Sequence, residues 1–347
     1  MATVKFPPTS GFYELDCYVA QLLGQAGIPA FIWGEKVLHV YLQKRYEGFF
    51  RGWVVPDEAI AKAVQVLDDE GFPPCKDGNE CAVFAPDQKF PVPDHHYHDY
   101  YHSTKSRRSW EGGVILYQKS RLFSEFPEPP VGCPRPGDPY YTFLASGRQF
   151  QKASDEPQNG QPENQYPVKL PVPARYLEAM CLLKIRDIEG YATISSWNSA
   201  KTGFVDYMRD EEHIMYYVKD LKRWHDKKDK ESMREDPGFQ STWDRLKTRR
   251  DKELDAALRK IENRTHTLKP DDLKEPWLEW MKLCVDRKYA QSQNDPDGNT
   301  CELRIYWDMR ESGTLPKPDP KPREILMRTL PVEKRLRVAR LIDDPVD

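Results

Sequence analysis

The sequence predicts an α/β (α+β) fold, a mixed sheet with flanking helices followed by a mostly helical C-terminal region. Three observations carry that expectation. Through residue 172, short apolar runs of strand length alternate with segments whose apolar residues recur every three or four positions. After Pro173 helical periodicity dominates. Hydrophobic residues make up 39% and charged residues 31% of 347, enough to bury a core and far from a disordered composition.

The elements follow in order. Residues 11–25 set Phe12, Leu15, Val19, Leu22 and Leu23 on one helical face, with Gly24 and Gly27 available to end it. Pro29 to Trp33 is a short apolar run stopped by Gly34, which favours a buried strand. Val37, Leu38 and Tyr41 mark a second short helix, and Phe49 to Val55 a second strand. Pro56-Asp57-Glu58 opens a helix with a proline and early acids that suit the dipole. That helix buries Ile60, Ala63, Val64 and Leu67, and Gly71 closes it. Further strands are expected at Cys81–Phe84, Val114–Tyr117, Tyr140–Leu144 and Tyr166–Leu170, separated by proline-rich loops. The polar, aperiodic segment 148–165 is expected to be a mobile loop.

These features divide the chain at 1–172 and 173–347. In the second part a helix begins near Tyr176, and residues 219–264 carry dense charges of both signs, as solvated helices do. Leu273, Trp277, Trp280, Met281 and Cys284 pattern another helix, and Arg323–Ile342 a last, basic one. Trp277, Trp280 and Trp307 are expected in the core.

Composition narrows the function classes. A net charge of −3 with acids interleaved among the basic patches gives no reason to expect nucleic acid or an anionic membrane as partner. The N-terminus lacks an apolar h-region, and no run approaches the roughly 18 apolar residues of a membrane span. Seven scattered cysteines without a CxxC pair suit reduced thiols in the cytoplasm or nucleus. No GxSxG, GxxxxGK[ST], HExxH or GxGxxG motif occurs.

Two stretches carry a likeness. FIWGEKVLHVYLQKRYEGFFRGWVVPDE, followed by AIAKAVQVLDDEGF, resembles the core of the nucleotidyltransferase superfamily, in particular the minimal antitoxin-paired bacterial toxins and their fungal relatives. In that family a strand ends in a Gly-Gly or Gly-Ser turn leading to a helix. The next strand carries Asp-x-Asp, and a helix ending in Gly-Phe follows. Here Gly34-Glu35 stands at the turn, and Phe50 and Gly52 at the two carboxylate positions. VKLPVPARYLEAMCLLKIRD (168–187) resembles the later segment that presents basic residues to nucleotide phosphates. The resemblance implies a nucleotide or anion pocket formed by Gly34, Glu35, Arg51, Lys184 and Arg186.

Nucleotidyl transfer needs two divalent metals held by clustered carboxylates. Neither position carries an acid, so a Mg2+ pair is not expected and no residue takes a catalytic role. The leading expectation is a degenerate nucleotidyltransferase-like protein with a binding or regulatory role toward a nucleotide, another anionic small molecule or a protein. One alternative is an active enzyme with an unusual carboxylate set, Asp57, Glu58 and Asp94. A second rests on Asp94–His102, which holds four of the eight histidines. His95, His96 and His98 are metal-ligand candidates there, with Cys75 and Cys81 upstream as thiolates, although the spacing matches no standard zinc pattern.

Overall fold

The computed structural model of the chain describes residues 12–42, 51–77, 81, 91–98, 113–144, 166–188, 197, 200–205, 207–208, 248, 252, 268–286, 296–319 and 321. The expected loop 148–165, residues 219–247 and 253–264, and the last helix all lie outside them. So do Phe50, residues 82–84 and His102.

Helix α1 (Phe12–Gln25) leads into strand β1 (Phe31–Trp33), helix α2 (Glu35–Leu42) and strand β2 (Arg51–Val55). Helix α3 (Ile60–Asp69) follows, then strands β3 (His95–Tyr97) and β4 (Val114–Gln118) and the short helix α4 (Lys119–Leu122). A separate two-stranded ribbon pairs β5 (Tyr141–Leu144) with β6 (Val168–Pro171). Helices α5 (Pro173–Arg186), α6 (Trp277–Asp286) and α7 (Pro296–Glu311) complete the described elements. Among these residues no helix is long and apolar enough to cross a membrane.

The main sheet has the order β1-β2-β4-β3. β1 runs antiparallel to β2, β2 parallel to β4, and β3 antiparallel to β4. This is a mixed sheet, as the alternation of elements predicts. No strand is expected from the sequence at His95–Tyr97, and here the structure differs: these residues form an edge strand. Three residues of mixed polarity are too short a run to reveal period-2 alternation.

The core around the sheet is aromatic. Phe31 and Trp33, two residues apart on β1, project to the same face. Phe31 meets Phe123 at 5.1 Å and Tyr141 at 5.3 Å, and Trp33 meets Tyr117 edge-on at 5.2 Å. Offset and edge-to-face contacts of this kind add about 1 kcal/mol each beyond burial. Helix α5 starts with Pro173, whose missing N–H costs nothing at a first turn. Eleven of its residues are buried, and the apolar ones, from Tyr176 to Ile185, belong to the same hydrophobic cluster as the sheet. The division expected at residue 172 thus falls at the start of a helix whose core is shared with the strands. Trp277 and Trp280 are buried as expected, but Trp307 is 50% exposed. The correction has a plain cause: Trp307 lies on the face of α7 opposite buried Ile305 and Cys301.

Lys169 on β6 is buried and donates to the Pro130 carbonyl. Burial lowers its ammonium from the ordinary 10.5 to about 8. Since the folded value lies below the unfolded one, the penalty is complete below pH 8 and is relieved as pH rises toward 10.5. Urea melts are expected to show a rise in stability of about 1–3 kcal/mol across that window, flattened by Lys169→Met.

Candidate metal centre and the strand-end cavity

The candidate metal centre is assembled by strand alternation and one short pairing. His96 on β3 and His98 just after it point to one side, and His95 and Tyr97 to the other. The Tyr97 hydroxyl donates to Asp68 at 3.0 Å and to the Val64 carbonyl at 3.1 Å, so that second side faces α3. His95 accompanies it, its ring 4.8 Å from that of Tyr97. Beyond α3 the chain passes through Pro73-Pro74, where Pro74 bridges Tyr97 in antiparallel sense and His98 N–H donates to the Pro73 carbonyl at 3.3 Å. Continued by one step, that pairing sets Cys75 opposite His96.

Cys75, Cys81, His96 and His98 each offer a ligand atom, and the four atoms lie within 4.8 Å of one another. Cys81 Sγ stands 3.4 Å from His96 Nε2 and 3.2 Å from His98 Nε2. Tetrahedral zinc, with bonds of about 2.3 Å to sulfur and about 2.0 Å to nitrogen, sets its ligand atoms about 3.5 Å apart. Cys81, His96 and His98 are buried, and Cys75 is partly exposed. Burial, with His98 and His95 nearby, holds His96 down at about 4, which leaves the imidazole neutral and able to ligate at neutral pH. Of the three expected histidines, then, two converge with both upstream cysteines, and His95 turns away. A histidine pair at i, i+2, once recognised as strand, would have separated them.

The second region is the end of the sheet where β1 stops and β2 starts. Gly34 has φ +89°, which suits glycine, and its carbonyl accepts from Leu38 N–H at 3.2 Å and from the Tyr176 hydroxyl at 3.3 Å. The register pairs Trp33 with Gly52, so Gly34 and Gly52 do meet at one sheet end. A Cβ on Gly52 would lie 2.3 Å from Trp33 Nε1, so the indole occupies the space a side chain there would need. The side chains of Glu35 and Arg51 lie outside the described residues.

The basic residues have other partners. Lys184 Nζ is 2.5 Å from Glu302, which Lys201 also contacts at 2.6 Å, and both ammonium groups lie over Trp280. Burial and the neighbouring Lys201 charge hold the Lys184 ammonium below its ordinary value. Arg186 grips Asp187 through Nε and NH2 at 2.6 and 2.8 Å, and donates to the Arg121 carbonyl. Asp187 also accepts from Trp197 at 3.0 Å. Both cations are engaged in ion pairs within the fold.

At the carboxyl end of β4 lies a cavity of about 690 Å3 lined by Ser120, Arg121, Arg186, Thr314, Lys317 and Asp319, among others. Arg121 binds Asp319 at 2.5 Å and Asp94 at 2.6 Å, and Lys321 binds Asp94 at 2.6 Å. Asp57 accepts from Ser120 N–H at 3.0 Å and from its hydroxyl. Breaking a buried pair of this kind costs about 3–5 kcal/mol, so an external anion would have to outweigh Asp319 to enter. Two members of the alternative carboxylate set, Asp57 and Asp94, are committed to these contacts.

The chain is thus an α+β protein with a mixed sheet and a cluster of two thiols and two imidazoles beside its edge strand. No protein-family model, curated protein or solved structure matches it.

The contact between Trp33 and Gly52 predicts that Gly52→Ala lowers stability by about 1–3 kcal/mol through overpacking. Urea melts should show that loss, and combining it with Trp33→Leu should cost less than the sum of the single changes.

Proposed function

We propose that this protein binds zinc as a structural ion through Cys75, Cys81, His96 and His98. The observation that carries the reading is the approach of the four ligand atoms to within 4.8 Å of one another. A two-thiolate, two-imidazole set is soft and tetrahedral in preference, which favours zinc over magnesium or calcium. Four protein ligands leave no open position for water or substrate, and three of the four residues are buried. A closed site of that kind stabilises structure and does no Lewis-acid chemistry. Its role is mechanical. β3 is a three-residue edge strand, and the ion would tie it to the chain leaving α3. Structural zinc contributes on the order of 10 kcal/mol in small domains, far more than three ladder pairs.

Purified under reducing conditions without chelator, the protein is expected to carry about one zinc per chain by elemental analysis. Cys81→Ser and His98→Ala should abolish the stoichiometry, and His95→Ala should leave it intact. Equal zinc content in all three variants would sink the proposal.

A second reading concerns the rest of the sheet and rests on the nucleotidyltransferase resemblance. The order of β1, the Gly34 turn, α2, β2 and α3 followed by Gly71-Phe72 supports it. On that reading the protein is a non-catalytic relative, with Gly52 in place of a metal-binding acid and Trp33 filling the space beside it. Its role would be binding, through the cavity at the end of β4 and not through Lys184. Radiolabelled ATP or GTP with magnesium is expected to give no nucleotidyl transfer to protein or RNA acceptors. Magnesium-dependent labelling would favour the active alternative.

A further inference from the structure

We infer, resting on the structural zinc reading, that the centre is a thiol-redox switch: a peroxide oxidises Cys75 and Cys81 to a disulfide and expels the metal. Three features of the site point that way. Cys75 is the one ligand residue of the four that is partly exposed, so an oxidant reaches the centre through it. Its partner sulfur is already at hand, because the ligand atoms lie within 4.8 Å and only five residues separate Cys75 from Cys81. A disulfide needs its sulfurs about 2.05 Å apart, which side-chain rotation and a small shift of either cysteine can supply. Finally, zinc keeps both sulfurs as thiolates, the form that attacks peroxide. The buried thiols of Cys17, Cys181 and Cys301 share neither the access nor the activation.

The chemistry balances in two steps. Cys75 Sγ attacks one oxygen of hydrogen peroxide, the O–O bond breaks, and a sulfenic acid and hydroxide result. Cys81 Sγ then attacks the Cys75 sulfur, the S–S bond forms, and a second hydroxide leaves. Two protons from solvent convert the two hydroxides to water. Two thiolates have lost two electrons, and the peroxide has gained them. Zinc is left with His96 and His98 alone, an incomplete set that releases it.

The consequence lies on β3. Without the ion the strand keeps its pairing to β4 and the single bridge to Pro74. Asp94, at the head of β3, holds Arg121 and Lys321, so loosening the strand loosens the anchor of the segment that lines the cavity.

The test uses the full chain, zinc-loaded, treated with hydrogen peroxide in the presence of a chromogenic zinc chelator. Release of about one zinc per chain is expected. Peptide mass analysis should find a Cys75–Cys81 disulfide, two hydrogens lighter than the dithiol. Dithiothreitol with added zinc should restore the metal. Cys75→His, which keeps four ligands but removes one thiol, should hold zinc through the same treatment, and Cys133→Ser should behave as the unaltered chain. Zinc retained while Cys133 oxidises, or released with no Cys75–Cys81 bond, overturns the switch. A protein carrying no zinc at the outset overturns the structural-ion reading itself.

Discussion

Five residue pairs, from Arg51–Val114 to Val55–Gln118, lock β2 in parallel against β4, and the positions of both candidate sites depend on that pairing. Each of the two strands then has one free edge, and β1 and β3 add to those edges in the opposite direction. On one side this sets Trp33 beside Gly52. On the other it sets His96 beside Ile115, which turns His96 and His98 to one side of the edge strand. A slip of one residue would exchange His95 and Tyr97 for His96 and His98 and send Tyr97 away from Asp68. Burial of Tyr97 and its two hydrogen bonds resist that slip.

The second constraint is electrostatic. Charges buried between the sheet and the C-terminal helices come in neutralised groups: Lys184 and Lys201 on Glu302, Arg186 on Asp187, and Arg121 with Lys321 on Asp94 and Asp319. Pairs of this type are costly to desolvate and rarely add much stability, but they tolerate few alternative partners. They join α5, α7 and the segment after it to one another and to the sheet end through named partners. Lys184 and Arg186 fasten parts of the chain that are remote in sequence: Lys184 reaches Glu302, 118 positions away, and Arg186 the Arg121 carbonyl, 65 positions away.

Local pattern made much of the architecture legible. The strands at 31–33, 51–55, 114–118 and 141–144 and the helices at 12–25, 35–42, 60–69 and 173–186 announce themselves through apolar periodicity and through Gly34, Pro56, Gly71 and Pro173. What resisted were elements whose pattern is weak for physical reasons. β3 is short and of mixed polarity: His96 faces the Cys81 thiol, and Tyr97 faces Asp68 and the Val64 carbonyl, instead of a uniform core. α7 carries charged residues around a narrow buried stripe of Cys301, Ile305 and Tyr306, so no broad apolar face marks it.

The candidate metal centre divides along the same line. Cysteine and histidine side chains, a proline pair ahead of Cys75 and the density of imidazoles at 95–98 are written in the chain, and with them the chemistry a soft cation would meet. Their spacing, five, fourteen and one residues, is not a pattern that local rules recognise, because the ligands are gathered by pairing between the exit of α3 and an edge strand more than twenty residues later. Residue types thus come from the sequence, since donor softness is a property of a side chain alone. Which of them share a site, and which of the basic residues are already bound, depends on distances between groups remote in sequence, and those exist only once the sheet has closed its register and the helices have packed against it.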